Sequence, residues 1–505
     1  MKQGSKALYA LVMAGCLALA SAAGQGSAVA DSPSDFSRDD IVRTIRDLTE
    51  MAPRATGSPG GLRAAEYVAD RYRAAGLTDV HFEEATSYDW TASGAGLSIA
   101  GTEIEANPVN HSLIPADAGP GRRSTGPDGL TAEVVDIGTG SVDGIDVNGK
   151  IVLFDLDFLL PTVGLLPFAE YIYDPDDARF DPDTLLAPNP FVTSLDSTVR
   201  AAQAAGAVGF VGVLAEYFDS NRYHNEYSRR LAMTIPGMWV TRADGANMRE
   251  MLPGAGNQVR IDLTTDRRAV TARTVVGVLP GRTNDTLMVQ SHHDSVGPGA
   301  VEDASGTSEV IALADYYGAA AREPGYVPRE KSLMFVTFDT HFTGYQGHMA
   351  FIEKYVTQRA TPWNIVANAT IEHVGKHARI AENGELITLE QPEPKGVFEN
   401  LNLGLKFEVA DMLRRNDVRA TTMLNGSLPQ ALLGGIPTDA SFILMAGVPT
   451  VSFIAGPLYL YDDADTLDKV DTAQLEPVAR FYRDVLDRLD REPSATIGLM
   501  PATVR

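Results

Sequence analysis

Between Gln290 and Gly306 the chain reads QSHHDSVGPGAVEDASG, which places His292, His293, Asp294, Glu302 and Asp303 within a short span. Six of the nine histidines (His292, His293, His341, His348, His373 and His377) lie between positions 292 and 377. Imidazole nitrogen beside carboxylate oxygen is the donor set of zinc or another borderline divalent ion. One residue separates His292 from Asp294, a spacing that lets the carboxylate accept the second ring N–H and fix the tautomer. No histidine follows His377, so any metal centre must be completed from a restricted set of residues.

The elements around these residues predict where they stand. From Ala269 onward the apolar runs TLMVQSHHD, SLMFVTFD, NIVANATI and VPTVSFIAG alternate with helical stretches such as SGTSEVIALADYYGAAA and AQLEPVARFYRDVLDRL. Strands without polar alternation, separated by helices, predict an α/β fold with a mostly parallel central sheet covered on both faces. Sites in such sheets lie beyond the C-terminal strand ends. His292, His341 and Glu372 each fall at such an end.

Upstream, residues 39–76 predict two amphipathic helices around a Pro/Gly-rich turn, with Gly76 as terminator. Residues 77–117 read as short strand-like pieces, and Gly119 to Gly129 as a linker. From Thr131 to about Asp266 the pattern is a small module of strands with flanking helices. Inside it, Leu159 to Leu195 is a Pro- and Asp-rich excursion bearing Phe168, Tyr171, Tyr173 and Phe180, longer than a connection needs. A lid, a pocket wall, a dimer contact or a self-packed elaboration would each account for it.

At 505 residues the chain exceeds what one core usually organises. Lys2 and Lys6, an apolar run from Ala7 to about Ala23, and Ala28-Val29-Ala30 form a secretory signal pattern over residues 1–30, so a secreted, extracellular protein is expected. Cys16 is the only cysteine and lies inside that run; lipoprotein anchoring through it is the alternative. No later run reaches the ~20 apolar residues of a membrane span. A formal net charge of −24 speaks against nucleic-acid or anionic-membrane partners.

These motifs together resemble the co-catalytic zinc aminopeptidases and glutamate carboxypeptidases, whose catalytic domain often carries an inserted protease-associated domain. APRATGSPG near residue 52, HHDSV, the Gly-Ala to Ser-Gly run at 299–306, GIPTDASF, GVPTV and DTLDKVD are similar to family landmarks, in the same order. The resemblance implies residues 31–118 as the first part of the catalytic domain, 119–268 as a protease-associated-like insert of small α/β type, and 269–505 as the metallopeptidase-like remainder. It places the first histidine ligand on His292, its neighbouring aspartate on Asp294, the bridging acid on Glu302 and a later acidic ligand on Glu372. His341 stands where the family has its general base, Phe342 where it has a glutamate ligand, and Tyr461 where it has its final histidine.

The departures fall on one of the two implied metal sites. His292, Glu302 and Glu372 retain ligand chemistry, whereas Phe342 cannot bind a metal and Tyr461 is a weak ligand. One divalent ion is therefore expected, zinc by donor type, with iron or manganese as alternatives. The resemblance implies aspartates where Glu302 and Glu372 stand, and each added methylene moves a carboxylate by about 1.5 Å, against a ligation tolerance of ~0.2 Å. His341 serves either as a base near neutral pH or as a fourth ligand. Asp303, His293 and His373 adjoin the aligned positions, and a shift of one residue would bring them in.

The expected function is a secreted metal-dependent hydrolase of peptide or amide bonds with a mononuclear site, catalysing through His341 and Asp294 and acting on a peptide or small amide. A catalytically inactive peptidase-like binding protein, and a metalloenzyme of another reaction built on His292, His341 and one carboxylate, are the alternatives.

Overall fold

A computed structural model describes residues 36–499, apart from 178–183, 185, 186, 188, 228–230 and 430–434. Residues 1–30, Cys16 and Phe180 lie outside the described residues. From Phe36 on, the chain is one compact unit.

The two N-terminal helices form where the sequence predicts them. Arg38–Thr49 starts at Ser37, whose side chain accepts the Asp40 N–H, and buries Ile41, Ile45 and Leu48 on one face. Pro59–Ala75 starts at Ser58 with proline in its first turn and stops at Gly76, which is left-handed at φ 88°. Between them Arg54 is fully buried.

The expected short pieces after residue 77 differ in the structure. Thr78–Ile99 is a single 22-residue strand, antiparallel to the equally long Gln258–Leu279. Gly121–Ser124, within the segment read as a linker, also pairs with Gln258–Leu279, which runs past position 268 without a break. A period-2 pattern interrupted by glycine looks like several strands, yet one twisted ribbon accommodates it through register shifts at Thr78/His81 and Ser93/Gly96.

The central sheet is built as predicted. Lys331–Phe338, Thr283–His292, Asn364–Ile371 and Thr450–Ala455 lie side by side, all parallel. Lys331–Phe338 is buried along its whole length, as a strand covered on both faces must be. Gln258–Leu279 closes one side antiparallel, and Lys395–Glu399, Thr421–Asn425 and Ala169–Tyr173 extend the other. A second set of parallel strands, Leu130–Asp136, Ile151–Asp155, Gly209–Leu214 and Gly237–Thr241, carries the helices Leu195–Ala204 and Arg242–Met251. Among the described residues no helix is long and apolar enough to cross a membrane.

This arrangement brings the C-terminal ends of four parallel strands to one edge. Asp339–His341 follows the first strand, His292 ends the second, Glu372 and His373 follow the third, and Tyr461 comes a few residues after the fourth.

Candidate metal centre

Each histidine at this edge is anchored through Nδ1, so Nε2 is the nitrogen that faces inward. His292 Nδ1 lies 3.1 Å from the Asp294 backbone carbonyl and 3.4 Å from Asp294 Oδ1. His373 Nδ1 donates to the Ala455 carbonyl at 2.8 Å, and His341 Nδ1 lies 3.0 Å from Asp439 Oδ1. The three Nε2 atoms converge on one carboxylate. Glu302 Oε1 is 3.2 Å from His292 Nε2 and 3.5 Å from His341 Nε2, and Glu302 Oε2 is 2.6 Å from His373 Nε2. The rings of His292 and His341 stack at 4.0 Å.

Two overlapping sets of donor atoms, each within 4.8 Å of one another, arise here: His292, Glu302 and His341, and His292, Asp303 and His373. Hydrogen bonding separates their members. Among the described residues, His292 Nε2, His373 Nε2 and both Glu302 oxygens are buried with no well-aligned hydrogen bond, and meet one another and His341 at ion-pair distance. Buried donors and acceptors that face one another without aligned hydrogen bonds are better satisfied by a divalent cation between them. His341 Nε2 instead reaches the Tyr461 hydroxyl at 3.3 Å.

Asp303 is hydrogen-bonded where Glu302 is not. Its oxygens accept from Ser291 Oγ at 2.5 Å, the Gly306 N–H at 2.9 Å and the His373 N–H at 3.1 Å, tying together a strand end, a helix start and the next strand end. Gly306 permits this approach: a Cβ there would lie 2.2 Å from the Ile371 carbonyl oxygen. His293 faces away, its Nδ1 3.1 Å from Thr337 Oγ1, and burial lowers its pKa to about 4. Neighbouring residues leaving a strand point to opposite sides, which is why His292 and His293 have different surroundings.

Glu372 lines the cavity beside the cluster, but its Oε1 accepts the Asp439 N–H at 3.1 Å. The place against Glu302 is held by His373. A left-handed backbone at His373, φ 65°, swings that ring inward, so two consecutive residues face the same cavity. The sequence signal for His373 was only its adjacency to Glu372. Phe342 packs its ring 5.4 Å from that of Tyr461.

Without a metal, the cluster is held by charge. Burial lowers the pKa of His373, but Glu302, Asp303 and Glu372 more than offset this and raise it to about 9. Burial and the neighbouring His341 lower His292, and Glu302 and Asp294 overcome both, holding it well above its usual value. Glu302, despite burial, is held below the usual carboxylate range by His373, His292 and His341.

These directions give a pH dependence. His373 is raised above its unfolded value of about 6.5, so its contribution is complete below that pH and is lost as pH rises through about 9, roughly 3 kcal/mol in all. Glu302 contributes with the opposite sign, losing its share only on the acid side. Chelated protein is therefore expected to lose denaturant resistance between about pH 6.5 and 9, while metal-loaded protein, whose imidazoles are already neutral, holds it. An unchanged midpoint in chelated protein would show that His373 and Glu302 are not coupled.

Two residues fix the loop that carries Glu302. Arg54 donates Nε to His293 O at 2.9 Å, Nη1 to Leu48 O at 3.1 Å and Pro298 O at 2.9 Å, and Nη2 to Gly299 O at 2.8 Å and Glu302 O at 3.4 Å. From the other side Asp465 accepts the Glu302 N–H at 2.8 Å and the Val301 N–H at 2.9 Å. Arg54 sits in the APRATGSPG landmark and Asp465 in DTLDKVD, but the sequence did not reveal this clamp. Lysine cannot reproduce the planar fork, so Arg54→Lys is expected to cost roughly 2–3 kcal/mol, read as a lowered denaturant midpoint at unchanged slope.

Residues 274–486, which span the four strand ends, match the profile of peptidase family M28. The matched segment contains His292, Glu302, His341, Glu372, His373, Asp439 and Tyr461. No curated protein matches the sequence.

The fold is that of zinc aminopeptidase-like proteins. It is similar to an aminopeptidase from Aneurinibacillus sp. strain AM-1, at 18% identity over 93% of this chain and 96% of that one, with a TM-score of 0.58. BSAP, a zinc aminopeptidase from Bacillus subtilis, is similar at 16% identity over 92% and 99%, TM-score 0.60. A peptidase M28 precursor from Shewanella amazonensis SB2B is similar at 17% identity over 92% and 100%, TM-score 0.62.

Proposed function

We propose that the protein is a secreted metal-dependent hydrolase of peptide or amide bonds, working with one rebuilt His/carboxylate centre. The observation that carries this reading is the convergence of His292 Nε2, His373 Nε2 and both Glu302 oxygens, buried and without well-aligned hydrogen bonds, at adjacent strand ends of the segment that matches family M28. His292, Glu302 and His373 would hold the ion. Their donor types suit zinc, and iron or manganese as well. Such an ion polarises a carbonyl and makes a bound water acidic enough to ionise near neutral pH. The signal pattern in residues 1–30 supports export.

His341 is the proton carrier in this reading. Two imidazoles hold the Asp439 carboxyl well below its usual range despite burial: His341 on Oδ1 and His348 on Oδ2 at 2.9 Å. An ionised Asp439 requires a proton on His341 Nδ1, which leaves Nε2 as the atom that exchanges protons. That Nε2 faces Glu302, Tyr461 and Glu226, at the cavity wall. It takes a proton from the attacking nucleophile and returns it to the leaving amine. Asp294 orients His292 from outside the cluster.

The cavity, about 240 Å³, supports a small substrate group. Phe191, Val192, Thr193, Leu195 and Asp196 form one wall. The last residues of the excursion from Leu159 to Leu195 thus contribute to the cavity lining.

Elemental analysis of the purified mature protein tests the reading, alongside turnover of aminoacyl and N-blocked peptide anilides before and after chelation. Near one metal per chain, with activity lost on chelation and restored by the ion, is expected. Absence of metal in micromolar zinc, iron or manganese would overturn it. Two tightly held ions would overturn the single-metal centre.

A further inference from the structure

The turn that carries His341 is held in a strained shape by residues from outside the matched segment. Thr340, Gly344 and Tyr345 have positive φ, at 91°, 111° and 62°, and two of the three are not glycine. Such backbone persists only where surrounding contacts fix it. Phe342, next to His341, is held through both of its backbone groups. Its N–H reaches Asp294 Oδ2 at 3.4 Å, and its carbonyl accepts the Tyr227 N–H at 3.2 Å and His111 Nε2 at 3.1 Å.

His111 and Tyr227 both lie outside residues 274–486, on two segments that are tied to each other. The Asn110 N–H donates to Asn225 Oδ1, and Asn225 Nδ2 donates back to the Asn110 carbonyl, both at 3.1 Å. On either side of His111, the Val109 and Leu113 N–H groups donate to the Gly237 and Ile235 carbonyls at 3.0 and 3.1 Å. The buried His111 ring lies 4.8 Å from the Tyr227 ring and 5.9 Å from that of Trp90. A carbonyl only accepts, so His111 carries its proton on Nε2. Its Nδ1 is buried without a partner, and among the described residues the ring's one hydrogen bond is therefore the bond to Phe342. Burial and the neighbouring Arg267 guanidinium lower the His111 pKa to about 3, so the ring stays neutral near neutral pH.

From this geometry we infer that His111 is a positioning residue, whose Nε2–H bond to the Phe342 carbonyl holds the turn that aims His341 at Glu302 and Tyr461. His341 is then fixed at two points, its ring by Asp439 at 3.0 Å and its backbone through Phe342. With the ring bond alone, a shift of the turn would pivot Nε2 about the Asp439 contact. A displacement of about 1 Å in a catalytic group costs on the order of 10²-fold in rate. His111 touches neither the proposed ion ligands nor the cavity lining, and acts only through Phe342. The inference rests on the proposed function only in taking His341 as the group that moves the proton.

The test compares zinc-loaded native protein, with ¹⁵N-labelled histidine, against His111→Phe and His111→Gln. Phenylalanine keeps the ring packing and removes the donor, whereas glutamine restores a side-chain N–H at similar reach. His341 resonances are identified by their absence in His341→Gln, and those of His111 by their absence in His111→Gln. In His111→Phe the His341 resonances are expected to shift while zinc content stays at the native value, and in His111→Gln they should return toward the native positions. Where turnover is measured, kcat should fall at least about tenfold in His111→Phe with KM within about twofold, and His111→Gln should recover most of the loss. Unmoved His341 resonances in His111→Phe would overturn the inference. Equal shifts in both variants would overturn it too, since ring packing and not the donor would then hold the turn. The native protein also decides if His111→Phe fails to fold: a His111 proton on Nδ1, or a ring that ionises near its ordinary pKa of about 6.5, is incompatible with the bond to Phe342. The resonances do not depend on turnover, so a protein in which His111 governs His341 yet cleaves nothing would sink only the hydrolase reading.

Discussion

Glu302→Ala is expected to reduce metal content from near one per chain to below detection, and to destabilise the metal-free protein by about 3–5 kcal/mol. Glu302 is the carboxylate on which His292, His341 and His373 converge, at 3.2, 3.5 and 2.6 Å. Its removal leaves a buried positive cluster whose members lose the acid that raises them. His373 suffers most, because Glu302 is the leading cause of its elevation to about 9. Asp303→Asn is the matched control. Its oxygens serve Ser291 and two backbone N–H groups, so the variant should lose stability and retain metal. Elemental analysis and denaturation of both variants check this; the reverse pattern would move the ligand role to Asp303.

His341→Gln is expected to lower kcat by about 10²–10⁴ while the metal stays bound. The physical basis is the division between its two nitrogens: Nδ1 is committed to Asp439 at 3.0 Å, and Nε2 faces the cavity. Burial lowers the His341 pKa, but Asp439, Glu226 and Glu302 outweigh this and hold it well above the usual imidazole value. In the metal-free protein that nitrogen therefore carries a proton. Asp439→Asn should reproduce part of the loss, because an amide in its place no longer dictates which nitrogen is protonated. Loss of metal with His341→Gln would make His341 a ligand instead, in the set it forms with His292 and Glu302.

Much of the fold was legible because apolar patterning and helix capping are local. The runs TLMVQSHHD, SLMFVTFD, NIVANATI and VPTVSFIAG became the four parallel central strands, and Gly76 ended its helix. The 22-residue ribbon was not legible. Its pairing partner lies some 180 residues away, and glycines and short alternations within it look like strand ends.

For the site, the sequence determined the chemistry available: histidines and acids at the ends of predicted strands, none of the histidines beyond His377, and a phenylalanine and a tyrosine at two positions where the resemblance implies ligands. Only the tertiary structure decided how these groups divide. It set Glu302 apart from Asp303 by hydrogen bonding, placed His373 rather than Glu372 against Glu302, and brought Arg54, Asp439 and Glu226 to the cluster from distant segments. The physical reason is that ligand and proton roles depend on which lone pairs remain unused and where a ring points. Those are fixed by contacts between residues far apart in the chain, such as the Ala455 carbonyl on His373 and the left-handed turn that aims it, and local sequence does not encode them.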